Sequence, residues 1–151
     1  MADISTELVK ELREQTGLGL MDIKKALADA GGDKEKALRT LKEKGLAVAV
    51  KRADRDAKEG YIQISGDGQK LSMVKVTCET DFVAKNPDFR LLADDLAMQI
   101  AAMEPQDVAE LLAQPFIKDS SQTVADVIKS AIQKFGERIE IGTWHRLDAR
   151  A

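Results

Sequence analysis

Cys78 and His145 are the only cysteine and the only histidine in 151 residues, and together they bound the chemistry open to the chain. One thiol forms no intramolecular disulfide, and no Cys/His zinc cage can be assembled. A Ser–His or Cys–His nucleophilic pair would have to use His145, which lies in the strand-like run "TWHRL" and reads as a surface or strand residue. Cys78 ends the alternating run "KLSMVKVTC" and reads as a small buried apolar group. Paired carboxylates are plentiful: Asp94 with Asp95, Asp54 with Asp56, Glu79 with Asp81. Acid–base catalysis needs two carboxyls held across a cleft with separated pKa values, whereas most of these residues stand on helices and solvate an outer face. The stretch "TGLGLMDIKK" contains Gly17-x-Gly19, but it follows a helix, lacks a third glycine and has no Gly-Lys-Ser/Thr ending. Neither a dinucleotide turn nor a P-loop is read there. An enzyme is disfavoured, and neither metal nor cofactor is expected.

Binding chemistry has better candidates. Leu18, Leu20 and Met21 sit on that glycine-rich turn, where apolar side chains tend to be partly exposed and can form a contact patch. Phe82 lies in "VTCETDFVAKNPDF", with Glu79-Thr80-Asp81 on one side and Lys85-Asn86 on the other. The next helix starts only at Pro87, so the segment reads as a surface loop. From spacing alone, a plug where the second strand leaves the core is the favoured reading of Phe82. An anchor for another protein is the alternative, since buried aromatics dominate interface energetics. Phe116 is a second isolated aromatic, in the loop-like "PFIKDSS".

The elements that must position these residues follow from period and punctuation. Three short helices are expected over residues 1–45. The first runs from Ser5, as N-cap, to Thr16. The second ends at Gly31-Gly32, and the third is capped by Asp33 and closed by Gly45. Residues 46–60 read as a mixed-charge helical linker. Beyond Gly60 the period becomes alternating: "YIQIS" and "KLSMVKVTC" flank "GDGQ" as a hairpin. Asn86-Pro87 opens a helix closed by Pro105, and "QDVAELLAQ" is a short helical turn. Thr123 opens a helix with Asp126 in a capping-box position, ending at Gly136. "ERIEIGTWHRL" is a last strand, with Gly142 marking a bulge. Residues 61–151 therefore read as β-β-α-α-β, a small three-stranded antiparallel sheet packed by two main helices. The fold class is α+β.

Net charge is −3 and the pI about 5.3, with Lys and Arg interleaved among Asp and Glu. Phosphate binding wants a basic face, and six aromatics including one Trp and one Tyr offer few stacking platforms. A protein partner is favoured over nucleic acid. No apolar run is long enough to cross a bilayer and "MADISTELVKEL" lacks a secretory layout, so no membrane association is expected and the cytoplasm is the default location.

Five motifs occur in order over nearly the whole chain: "LVKELREQTGLGLMDIKKAL", "GDKEKALRTLKEKG", "CETDFVAKN", "QPFIKD" and "GERIEI". On them the sequence resembles the bacterial elongation factor Ts family, the guanine-nucleotide exchange factors of elongation factor Tu. The resemblance implies a ubiquitin-associated-like N-terminal bundle, a helical linker and an α+β core. It also implies binding to GDP-bound elongation factor Tu, displacement of Mg²⁺, and exchange of GDP for GTP without covalent chemistry. It assigns Mg²⁺ expulsion to Thr80, Asp81, Phe82 and Val83, with Phe82 wedged between helices of the partner's G domain and Asp81 beside it. On this resemblance Phe82 is an anchor. Leu12, Gly17, Leu18, Gly19, Leu20 and Met21 match the N-terminal surface that meets the same domain. Many family members carry a duplicated core or a long insertion between the core helices, whereas here only Glu104 to Ser121 intervene. Some compact members dimerise, and a disulfide near the C-terminus occurs among them, but "TWHRL" has no cysteine. A non-covalent homodimer through the sheet edge, with Trp144 as a contact, stays open. The rival reading is a non-exchanging binding module that uses the N-terminal bundle.

Overall fold

A computed structural model describes residues 4–150. Residues 1–3 and 151, at the outer ends of the first and last expected domains, lie outside the described residues. Three helices open the chain: α1 (Thr6–Thr16), α2 (Leu20–Asp29) and α3 (Lys34–Arg52). Ser5 occupies the N-cap of α1, but its hydroxyl makes no capping bond. Asp33 does cap α3, its carboxylate accepting the Lys36 N–H at 3.0 Å. The helices close over a small core of Val9, Leu12, Leu18, Ile23, Leu27 and Leu41, all buried.

Gly45 does not end the third helix. α3 continues to Arg52, and the expected linker is the second half of this helix followed by an irregular stretch to Lys58. Helix-interior glycine is unfavourable by about 1 kcal/mol relative to alanine, so packing must offset it. Gly45 is buried where α3 crosses α7 (Val124–Phe135), and a Cβ there would stand 2.6 Å from Gln133 Oε1. The close approach lets Val48 and Ala49 pack against the larger core.

That core lies under an antiparallel sheet of β1 (Glu59–Gly66), β2 (Lys70–Cys78) and β5 (Glu140–Asp148), in the order β1-β2-β5. The β1–β2 turn is held by Asp67, whose Oδ1 accepts the N–H groups of Gln69 at 2.7 Å and Lys70 at 3.0 Å. Val74 pairs with Trp144 and Val76 with Ile141, so Gly142 and Thr143 both face Lys75 as a bulge. The inner face carries Val74, Val76 and Cys78 against α5 (Pro87–Met103). Phe89 of α5 meets Phe135 of α7 edge to face, with ring centroids 5.9 Å apart. Trp144 also packs on this core, turned inward rather than along the sheet edge. The outer face is different: Ile62, Ile64, Leu71, Met73 and Leu147 are all exposed there.

Between the core helices stand α6 (Val108–Ala113) and a hairpin of β3 (Pro115–Phe116) with β4 (Asp119–Thr123). The loop expected around Phe116 is thus a small β-unit, and Phe116 is buried in the larger core. Gln99, wholly buried on α5, explains the difference. Its Nε2 donates to Gln114 Oε1 and the Pro115 carbonyl, both at 3.1 Å, and its Oε1 accepts the Ile117 N–H at 2.9 Å. A buried amide with these partners is satisfied, and it pins the hairpin from across the fold.

Thr123 then caps α7 as the sequence predicts. Its hydroxyl accepts the Asp126 N–H at 3.2 Å, and the Asp126 carboxylate accepts the Thr123 N–H at 3.0 Å. Thr123→Ala is expected to lower unfolding stability by about 1 kcal/mol. In urea titration the midpoint should fall with an unchanged slope.

Candidate functional site

The segment after β2 is not an open loop. Thr80 caps a helix of five residues, α4 (Asp81–Lys85), and its Oγ1 accepts the Val83 N–H at 3.4 Å. A helix this short carries little stability of its own, so its neighbours must hold it. Val83 and Ala84 turn inward and are buried with Cys78 and Phe89. Asp81, Phe82 and Lys85 turn outward, and Phe82 is 83% exposed. Asp81 Oδ2 accepts from Lys85 Nζ at 2.9 Å. The hydrogen bond and charge of Lys85 hold the Asp81 carboxyl below its ordinary value, and Asp81 raises the Lys85 ammonium in turn.

The strand end and α4 are tied to the turn between α7 and β5. Glu137 Oε2 accepts the N–H groups of Glu79 and Thr80, each at 3.0 Å, and its Oε1 accepts the Thr80 hydroxyl at 2.6 Å. Glu79 reciprocates: its Oε1 accepts the Arg138 N–H at 2.6 Å, and Oε2 lies 3.4 Å from the Arg55 guanidinium. Arg138 also donates to the Arg55 carbonyl and pairs with Glu140. Glu137 lies within the motif "GERIEI", but nothing in its neighbourhood assigns it this role. The available signal is an acidic residue directly after the α7 C-cap Gly136, where the helix dipole disfavours an anion and another partner must be sought.

The glycine-rich turn divides its apolar residues. Gly17 adopts φ +65°, and its N–H closes α1 on the Arg13 carbonyl at 2.8 Å. Leu18 is buried beside Leu12 in the small core, contrary to the partly exposed patch expected of it. Side chains two positions apart on a helix diverge, so while Ile23 faces inward, Met21 faces solvent and is 78% exposed; Leu20 is 43% exposed. Leu12, Leu18 and Val83 therefore serve packing beneath the surface. Of the candidate site residues, Phe82, Leu20 and Met21 are the large apolar side chains that remain available.

Most of the paired carboxylates are committed elsewhere. Glu79 and Asp81 take different partners, Asp95 pairs with Lys118, and Asp94 accepts from Gln63 at 3.2 Å. Among the described residues, no three His, Cys, Asp or Glu side chains are placed to hold a metal ion. No described helix is long and apolar enough to cross a membrane. A recess of about 400 Å³ between α1, α3, β4 and α7 is lined mainly by Gln, Ser, Thr and Leu, away from Phe82.

The arrangement is that of an α+β protein that presents an aromatic on a braced helix. Comparison with known proteins gives that class a family. The family profile described as Elongation factor TS matches residues 79–151. A relative from Desulforamulus reducens named Elongation factor Ts is 43% identical, over 98% of this chain and 90% of its own length. That alignment runs over 195 positions, more than this chain has, so the relative carries residues without a counterpart here. Relatives of the same name from two strains of Clostridium kluyveri are 50% identical over 95% of this chain. The match covers 48% of those proteins, so the chain spans about half their length. The chain belongs to the elongation factor Ts family, a family of translation elongation factors.

Cys78 offers a check on this site's packing. Burial, and then the nearby Glu137 carboxylate, push its thiol up to about 11 from an ordinary 9. A thiol kept neutral in the fold supports stability below pH 9, and that support is lost as pH rises from 9 to 11, where the unfolded chain ionises first. The native protein should resist thiol reagents at pH 8 and react on unfolding. Its unfolding midpoint should fall more steeply over that window than that of Cys78→Ala.

Proposed function

We propose that the chain binds elongation factor Tu in its GDP-bound form, displaces Mg²⁺ and promotes release of GDP for exchange with GTP. The observation that carries this reading is Phe82, held 83% exposed on a capped and braced helix. Membership of the elongation factor Ts family supplies the partner. In this reading residues 1–45 are a binding domain, 46–60 a connector and 61–151 the exchange core. The work is done in the cytoplasm, without nucleic-acid contact, cofactor or covalent step.

The mechanism is differential binding. GDP and Mg²⁺ are held in a nucleotide switch protein by a P-loop with its hydroxyl and carboxylate ligands. A protein that binds best to a distorted P-loop must weaken the nucleotide, because coupling between two ligands is reciprocal. Phe82 supplies that preference as an apolar wedge, and Asp81 beside it is kept ionised by Lys85. Thr80 and Val83 serve from behind, one as cap and one as buried base. Leu20 and Met21 form the second contact on the N-terminal bundle, with Gly17 and Gly19 shaping the turn and Leu12 and Leu18 beneath it.

A non-covalent homodimer is part of the proposal. The outer sheet face presents Ile62, Ile64, Leu71, Met73 and Leu147, and a second copy offers the same five residues as a matching apolar surface.

Release of fluorescent GDP from elongation factor Tu tests exchange. The chain should accelerate release, and Phe82→Ala should lose roughly 30-fold of that effect, the equivalent of about 2 kcal/mol for an aromatic anchor, with its melting temperature unchanged. Equal acceleration by the variant removes the wedge role; no acceleration by the parent chain removes exchange and leaves a binding module. Gln at both Leu20 and Met21 should weaken binding of the partner while leaving the fold intact. Sedimentation should give a dimer mass for the parent chain and a monomer mass when Ile64 and Leu147 are both changed to Glu.

A further inference from the structure

The carboxylate that accepts from the start of α4 is on another part of the chain. α4 has five residues and no length with which to orient itself. Its buried base, Val83 and Ala84, fixes which side faces inward but leaves the N-terminal end to be held by hydrogen bonds. Three donors at that end go to one carboxylate: the N–H of Glu79, the N–H of Thr80 and the hydroxyl of Thr80, each to Glu137. The hydroxyl bond matters most. By committing the Thr80 proton to Glu137 at 2.6 Å, it leaves the oxygen's lone pairs free to accept the Val83 N–H that starts the helix. Glu137 has no counterpart use within α7, since an anion after a helix C-terminus is disfavoured there.

We propose that Glu137 is a positioning residue for Phe82, its carboxylate setting the direction in which α4 presents the ring. The inference rests on the reading of Phe82 as the partner's anchor. It assigns Glu137 no contact with the partner. Glutamine at this position keeps the size and loses the complementarity. If the amide nitrogen takes the place of Oε2, it meets two N–H donors. In the place of Oε1, it leaves the Thr80 hydroxyl proton without its acceptor.

Two measurements on the full chain test this. In GDP release from elongation factor Tu, Glu137→Gln should raise the half-saturating concentration about tenfold and leave the maximal rate within about twofold. A ring that is correctly aimed only part of the time lowers apparent affinity by that fraction. In the Phe82→Ala background the same change should add less than about twofold, because its effect passes through the ring. Amide hydrogen exchange of Glu137→Gln should speed up at residues 79–85 while α5 and α7 keep their protection. Effects that add fully to those of Phe82→Ala, or unchanged protection at 79–85, overturn the proposal. If Phe82→Ala alone exchanges nucleotide like the parent chain, the anchor reading fails, and amide exchange still decides whether Glu137 holds α4. Should Glu137→Gln fail to fold, Glu137→Asp, which keeps the charge and the Thr80 cap but shortens the reach, takes its place: faster exchange at 79–85 supports the brace and unchanged exchange overturns it.

Discussion

Where β2 and β5 stop pairing, two glutamates take over from the ladder. The last regular pair is Thr77 with Glu140. Beyond it, the N–H groups of Glu79, Thr80 and Arg138 have no strand carbonyl opposite them, and buried or half-buried donors left in that state are costly. Glu137 accepts two of them and Glu79 accepts the third. The exchange is reciprocal, each carboxylate serving the backbone of the other's segment. It lets β2 end, lets the chain turn outward, and closes the sheet against the larger core at the same point. The Cys78 thiol beside it and the cap of α4 both take their surroundings from this junction.

Exposure of Phe82 is a choice the fold can sustain because the core is filled without it. Burying a phenylalanine contributes about 1.5–3 kcal/mol, and leaving one out forgoes that amount. The chain has four. Phe89 and Phe116 are buried, and Phe135 packs against the same core with its ring edge to face with Phe89. Stability is therefore carried by three rings, and the fourth is free to serve an interface. The same division is made on the N-terminal bundle, where Leu18 fills the small core and Met21 is left outside. In both places a packing side chain and an available one stand within three positions of each other.

Features written in neighbouring residues were legible. The Thr123–Asp126 capping box, the Asn86-Pro87 helix start, the alternating strands and the bulge at Gly142 all depend on contacts a few positions apart or on a single period. Features decided by distant contacts were not. Gly45 looks like a helix end until α7 is laid across it, because propensity is a weak prior against packing. The Phe116 hairpin depends on Gln99, an amide on another element. Phe82 has polar neighbours on both sides, a pattern equally compatible with plug and anchor. Leu18 and Met21 share one turn, and only the packing of α1 against α2 separates them. Glu137 reaches its partners across 57 and 58 residues, a separation at which no local pattern survives.

The unbroken course of α3 through Gly45 bears on how two separate contacts can act together. Nineteen residues of helix span about 28 Å at 1.5 Å per residue, with one end in the small core and the other against the larger one. A flexible tether would let the two contact surfaces sample many separations and would lose ordering entropy on docking. A helix shared by both cores behaves instead as a caliper, with its jaws already set. If Met21 and Phe82 meet one partner as proposed, contact at either brings the other in at a preset distance, with an effective concentration governed by the stiffness of α3. Gly45, the residue without a side chain, is what allows that bar to be clamped to the body of the molecule.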